Sequence, residues 1–283
     1  MIPDMPQDRT VSVGRTRIRY WDVGSGDPVL LIHGLGASAE IWLKNVPALA
    51  RDFRVLVPDL VGFGQSDKPD VAYSPEFLVR FLADFMEVLE IDTVHLAGHS
   101  LGGGLALDFA FTFPRRVRSL ALIDSAGFGR DITWTLRLVT VPVLGEILTI
   151  PTKWSVQYFF EKAVADPGSV PEDFIDLYWG YARAPGARRA FLTVLRSLCT
   201  VRGARKDLLD TVHARLSSLT VPVLIIWGRD DRLLPVHHAD AARSLLPGAD
   251  IIILDRCGHM PQFECPLVCN ERMKQLFQSE VDT

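Results

Sequence analysis

The sequence predicts an α/β protein built on a mostly parallel, doubly wound sheet, with a helical segment inserted late in the chain. Three observations carry that expectation. Short apolar runs, broken only by His95, recur at residues 29–32, 55–57, 94–97, 120–123, 223–227 and 251–254. Runs of that length without polar alternation suit strands buried on both faces, as parallel strands are. Amphipathic stretches of helical length separate several of them, and between residues 128 and 217 the alternation gives way to helix-like sequence alone.

The chain has 283 residues, of which 48% are hydrophobic and 23% charged, so it suits one large folded domain or a domain with a sizeable insertion. A net charge of −4 gives no reason to expect nucleic acid or an anionic membrane as partner. The first nine residues lack the apolar core of a signal peptide, and no apolar stretch is long enough to span a bilayer. The expectation is therefore a cytoplasmic protein.

In chain order, alternation from Arg17 to Asp22 predicts a half-exposed antiparallel strand. The run 29–32 leads into His33-Gly-Leu-Gly36, a turn in which glycines let backbone approach a ligand closely. A helix starts at Ser74-Pro75-Glu76, where Ser74 caps and Pro75 suits the first turn. It continues through Phe77, Phe81, Leu82, Phe85 and Leu89 at spacings of three and four.

The segment 128–217 carries prolines at 142, 151, 167, 171 and 185 and large apolar residues including Trp134, Trp154, Phe159, Phe160, Tyr178 and Phe191. It is read as a cap over a core formed by residues 1–127 and 218–283. Most of its aromatics are expected to pack the cap onto the core, and some to line an apolar entrance.

The chemistry is announced by Gly98-His-Ser-Leu-Gly102, set between the apolar run 94–97 and a helix-like stretch. In a strand-turn-helix context G-x-S-x-G holds its serine at the tip of a strained turn, with the hydroxyl exposed. Ser100 is thus the candidate nucleophile. A hydroxyl needs a base, and the base needs an acid to orient it.

Of seven histidines, His259 stands in a loop directly after the last apolar run and is the candidate base. His33, His95, His99, His213, His237 and His238 are assigned to turns, strands or helices. Asp231 follows the preceding run, four before Pro235, and is the candidate acid, with Asp230 as a turn residue. Asp124, at the end of the run 120–123, is a third acid whose simpler role is to hold loop backbone. The N–H groups of Leu35 and Leu101 are the candidate oxyanion donors.

These segments resemble the α/β-hydrolase superfamily from about Val11 to about Phe277. The resemblance rests on His33-Gly-Leu-Gly-Ala37, Pro58-Asp-Leu-Val-Gly-Phe-Gly-Gln-Ser-Asp-Lys-Pro69, Gly98-His-Ser-Leu-Gly-Gly103, Gly228-Arg-Asp-Asp-Arg-Leu-Leu-Pro235 and Gly258-His-Met-Pro-Gln-Phe-Glu-Cys-Pro266. Serine at the elbow disfavours the dehalogenase and epoxide-hydrolase branches, which use aspartate there. The resemblance implies a serine esterase or lipase-like enzyme acting on hydrophobic carboxylic esters through an acyl-enzyme.

Two alternatives stand beside it: a C–C bond hydrolase of aromatic ring-fission products, and a cofactor-free perhydrolase. Members of the C–C group often carry Asn before the serine and Trp after the histidine, where this chain has His99 and Met260. Its Arg229-Asp-Asp-Arg232 and Arg256-Cys-Gly-His259 nevertheless resemble their C-terminal third. A non-catalytic ligand-binding scaffold is the reading from another class, disfavoured by the complete set of candidate catalytic residues.

Cys199, Cys257, Cys265 and Cys269 contain no C-x-x-C pair, so free thiols are expected, with no disulfide, metal or other cofactor. Monomer and homodimer are equally compatible with the sequence.

Overall fold

In a computed structural model, residues 5–279 are described; the outer ends of the expected core segments, 1–4 and 280–283, lie outside them. The chain opens with a hairpin, β1 (Arg9–Val13) and β2 (Thr16–Val23), followed by β3 (Pro28–Ile32). Next come the short α1 (Val46–Leu49), β4 (Arg54–Pro58) and α2 (Pro75–Val88). The elbow lies between β5 (Val94–His99) and α3 (Leu101–Thr112), and β6 (Val117–Ile123) completes the first half.

Helices α4 (Trp134–Val139), α5 (Leu144–Leu148), α6 (Lys153–Ala163), α7 (Glu172–Arg183) and α8 (Ala187–Leu198) form the insertion. A two-residue hairpin, β7 (Cys199–Thr200) with β8 (Gly203–Ala204), closes it, although no strand is expected there. After it, α9 (Lys206–Leu216) returns towards α3, and Val212 and Leu216 join the core on that side of the sheet. The fold ends with β9 (Val223–Gly228), α10 (His237–Leu245), β10 (Asp250–Leu254), α11 (Pro261–Glu264) and α12 (Pro266–Gln278).

The eight-stranded sheet has the order β1-β2-β4-β3-β5-β6-β9-β10. Only β1–β2 and β2–β4 pair antiparallel; every later pair is parallel. Within this sheet, β1 is the strand that sequence reasoning missed: Arg9–Val13 alternates polar and apolar over its last residues, too short a run to stand out.

The continuous apolar runs have their reason in the packing. Leu30 and Ile32 of β3 face one core with α2 and α3, while Val29 and Leu31 face the other with α12. Each such side chain, fully buried, contributes roughly 1.5–3 kcal/mol relative to exposure. α2 begins as expected, with Ser74 Oγ accepting from the Phe77 N–H and Pro75 at the first position.

Strand order reverses between β3 and β5, the neighbours from which the chain winds outward in opposite directions. In open parallel sheets, ligand sites lie outside the carboxyl ends of the strands at that reversal. Here those ends lead into His33–Gly36 and Ser100.

Candidate active site

Ser100 joins β5 to α3 with φ 55° and ψ −116°, a conformation costly for any residue with a Cβ. The surrounding backbone holds it there: its N–H donates to the Ile123 carbonyl at 2.9 Å, and its carbonyl accepts from Gly103, Gly104 and Ala126. The flanking glycines are sterically required. A Cβ on Gly98 would stand 2.3 Å from the Gly102 carbonyl oxygen, and one on Gly102 the same distance from that of Ile32.

The loop after β3 packs onto this elbow. A Cβ on Gly34 would lie 3.2 Å from Ser100 Cβ, so the segment carrying Leu35 passes directly over the serine. Leu35 and Leu101 both line the cavity in front of Ser100. Leu101 is the first residue of α3, so its N–H has no intrahelical acceptor. His33 braces the loop from behind: Nε2 accepts the Leu60 N–H at 2.9 Å and Nδ1 donates to the Gly34 carbonyl at 2.8 Å. Burial pushes its pKa down to about 4, which keeps the ring neutral and this tautomer in place.

The structure brings the candidate base and acid together. His259 Nδ1 lies 2.7 Å from Asp231 Oδ2, and both side chains are buried. Asp231 Oδ1 accepts from the N–H groups of Leu233 at 2.7 Å and Leu234 at 2.9 Å, which fixes the carboxylate in the loop after β9. Asp230 is exposed at the same turn, its N–H on the Cys257 carbonyl. His259 and Ser100 line one cavity.

Asp124 does hold loop backbone, accepting the Gly228 N–H at 2.8 Å, but its other oxygen lies 4.0 Å from His259 Nδ1. Burial and the charge of Asp231 keep its carboxyl well above the usual carboxylate range.

Three contacts around His259 had no sequence signal. His99, adjoining the serine, turns its Nε2 to the His259 carbonyl at 2.6 Å and packs its ring 4.8 Å from that of His259. The backbone N–H of His259 donates to Ala163 at the end of α6, 2.6 Å away. Glu264 accepts from Gly258, Met260 and Ala165. The loop of His259 and the end of α6 are thus one hydrogen-bonded unit. A glutamate six residues past a glycine is too common a pattern to reveal this.

The cavity in front of Ser100 has a volume near 440 Å³, and a second chamber near 450 Å³ opens beside it under the inserted helices. Leu35, Phe159, Phe160, Tyr178 and Phe191 stand between them and line both. Trp134, Trp154 and Tyr158 line only the outer chamber, while Phe174 packs against Phe160 and Phe263. Two hydroxyl contacts tie α7 down beside the loop after β3. Ser38 Oγ donates to Tyr178 Oη at 3.0 Å, and Tyr181 Oη donates to Glu40 at 2.9 Å.

All four cysteines are free thiols. Among the described residues, two groups combine enough His and Asp ligand atoms to hold a metal ion: Asp131–His237–His238, and Asp124–Asp231–His259 itself. No helix of the described residues is long and apolar enough to cross a membrane.

Comparison with known proteins agrees with this architecture. Residues 29–272 match the sequence model of the alpha/beta hydrolase family. The chain is 32% identical to a 2-hydroxy-6-oxo-2,4-heptadienoate hydrolase of Pseudomonas putida, over 90% of this chain and 91% of that one. Among solved structures, a meta-cleavage product hydrolase from Pseudomonas fluorescens superposes with a TM-score of 0.81 at 28% identity, covering 95% and 97% of the two chains. A putative lipase from Acinetobacter baumannii gives 0.83 at 27% identity, covering 96% and 90%.

Proposed function

This chain belongs to the alpha/beta hydrolase family, and we propose that within it the protein is a serine hydrolase cleaving a carbon–carbon bond beside a carbonyl in an aromatic ring-fission product. The observation that carries the chemistry is the Asp231–His259 pair set on the same cavity as a strained Ser100. A relative named as a 2-hydroxy-6-oxo-2,4-heptadienoate hydrolase and a solved structure named as a meta-cleavage product hydrolase, each matched over nine-tenths or more of both chains, favour that substrate over the ester with which the sequence analysis leads. The apolar chamber lined by Ser100 and His259, with a second apolar chamber beside it, leaves room for a bulky substrate.

In this mechanism His259 Nε2 takes the Ser100 proton as Oγ attacks the carbonyl carbon. Leu35 and Leu101 donate their N–H groups to the oxyanion, such a donor being worth about 2.7–4 kcal/mol in the transition state. Asp231 holds the imidazole with Nδ1 protonated and stabilises its charged form. His259 then returns the proton to the departing carbon and activates water, which releases the acid from Ser100. The inserted helices act as the cap that keeps bulk water from the acyl-enzyme.

The ester reading is retained for a specific reason. Position 99 carries histidine and position 260 methionine, where C–C hydrolases often carry asparagine and tryptophan, and one solved neighbour is a putative lipase. A ring-fission dienoate and p-nitrophenyl butyrate, each tested with wild type and Ser100→Ala, decide between them. Turnover of the dienoate with the larger kcat/KM, lost in the variant, supports the proposal. Efficient ester turnover with an inert dienoate refutes it in favour of the esterase.

A further inference from the structure

We infer that Asp124 is a second, reserve acid for His259: a positioning residue that stands beside Asp231 and takes over its contact with Nδ1 when the Asp231 carboxylate is removed. The inference rests on the Ser100–His259 chemistry proposed above.

The two oxygens of Asp124 do different things. Oδ1 accepts the Gly228 N–H at 2.8 Å and ties the end of β6 to the end of β9. Oδ2 is buried, has no hydrogen-bond partner, and lies 4.0 Å from His259 Nδ1. A residue kept only to hold the loop has no use for that second oxygen, and an unpartnered buried polar atom calls for an explanation.

The backbone adds to this. Asp124 sits at φ 40°, unfavourable for a residue with a Cβ, and its N–H is fixed to the Ile226 carbonyl at 2.9 Å. The side chain is thereby carried under the imidazole and not released to solvent; its exposure is nil. Asp124, Asp231 and His259 each place one nitrogen or oxygen within 4.8 Å of the others.

Two carboxylates so close in a buried site do not both ionise readily. Asp231 accepts two backbone N–H groups and the imidazole, whereas Asp124 accepts one N–H. Of the two, Asp124 is the one that stays a neutral carboxylic acid, burial first and the Asp231 charge second holding its carboxyl well above the usual carboxylate range. The base then has one full counter-charge, not two. Replacing Asp231 by asparagine removes the like charge, the second cause of that rise after burial, and leaves the positive charge that forms on His259 with Asp124 4.0 Å away as its partner. Asp124 then ionises as the imidazole takes up the Ser100 proton, and a shift of about 1 Å brings Oδ2 to hydrogen-bond distance from Nδ1–H.

The test reads Ser100 reactivity directly and needs no knowledge of the substrate. The labelling rate by a fluorophosphonate probe is measured for wild type, Asp231→Asn, Asp124→Asn and the double variant, each checked for folding by circular dichroism. Asp231→Asn is expected to label about 10²-fold more slowly than wild type. Where no other carboxylate is at hand, losing the triad acid costs about 10⁴-fold in serine-protease catalysis.

Asp124→Asn is expected to cost tenfold or less in the wild type, but about 10²-fold in the Asp231→Asn background, a non-additivity that a loop-holding role does not produce. Equal rates for Asp231→Asn and the double variant, or the same factor for Asp124→Asn in both backgrounds, overturn the inference. Should the double variant fail to fold, Asp124→Ser replaces Asp124→Asn, since its hydroxyl can accept from Gly228 but cannot ionise at neutral pH. A wild type labelled no faster than Ser100→Ala overturns the Ser100 reading itself, and this inference with it.

Discussion

Replacing Glu264 by alanine should loosen the base while leaving every proposed catalytic residue in the chain. The Glu264 carboxylate accepts the Gly258 N–H at 3.0 Å, the Met260 N–H at 3.1 Å and the Ala165 N–H at 2.7 Å. Hydrogen bonds to an ionised acceptor contribute roughly 1.5–3 kcal/mol each. Gly258 and Met260 are buried, but Glu264 and Ala165 are half-buried, so water replaces part of what is lost. The expected cost of Glu264→Ala is therefore about 3–5 kcal/mol, out of a net stability of about 5–15 kcal/mol for a typical protein.

The consequence for rate follows from His259 lying between two of these anchors. A displacement near 1 Å in a catalytic group costs on the order of 10²-fold. Glu264→Gln keeps the shape but loses the charge, and should cost about 1–3 kcal/mol with a smaller fall in kcat. Urea unfolding and kcat/KM on the same preparations test both effects. A Glu264→Ala protein within about 1 kcal/mol of wild type, or a destabilised one with unchanged kcat, would refute the reasoning.

Gly102→Ala places a Cβ 2.3 Å from the Ile32 carbonyl oxygen and 2.7 Å from that of His33. It should cost about 1–3 kcal/mol or more by overpacking and slow Ser100 labelling as the Leu35 loop shifts; thermal melting and the fluorophosphonate rate check this. Burial, and then the charge of Arg118, push His95 down to about 4. The unfolded chain takes up that proton first, so stability is full above pH 6.5 and falls as pH drops towards 4, by about 2 kcal/mol at pH 5. His95→Asn should flatten the fall in unfolding free energy between pH 7 and 5 by that amount, and parallel profiles would contradict it. Phe191, lining both chambers and resting on Gly36, divides the space above Ser100. Phe191→Ala should lower KM for bulky substrates more than for small ones, read from a series of graded size.

The alternation of short apolar runs with amphipathic stretches, a local property of the chain, was enough to indicate the parallel sheet. The elbow was equally legible, because the glycines around Ser100 answer to steric demands within a few residues, and the Ser74 cap likewise acts over one turn. Asp231 and His259 were nameable as the candidate acid and base from their positions after strands, since a parallel sheet collects the ends of its strands at one edge.

Tertiary structure decided what no local pattern encodes. The 28-residue separation of His259 from Asp231 says nothing of a 2.7 Å contact, nor does the separation of Asp124 from His259 disclose an unpartnered oxygen beneath the base. His99, Glu264 and the end of α6 converge on the base loop from distant parts of the chain. The meeting of such groups depends on how the loops of separate strands settle against one another. It is set by packing and hydrogen-bond satisfaction summed over the whole fold, which short-range periodicity does not record.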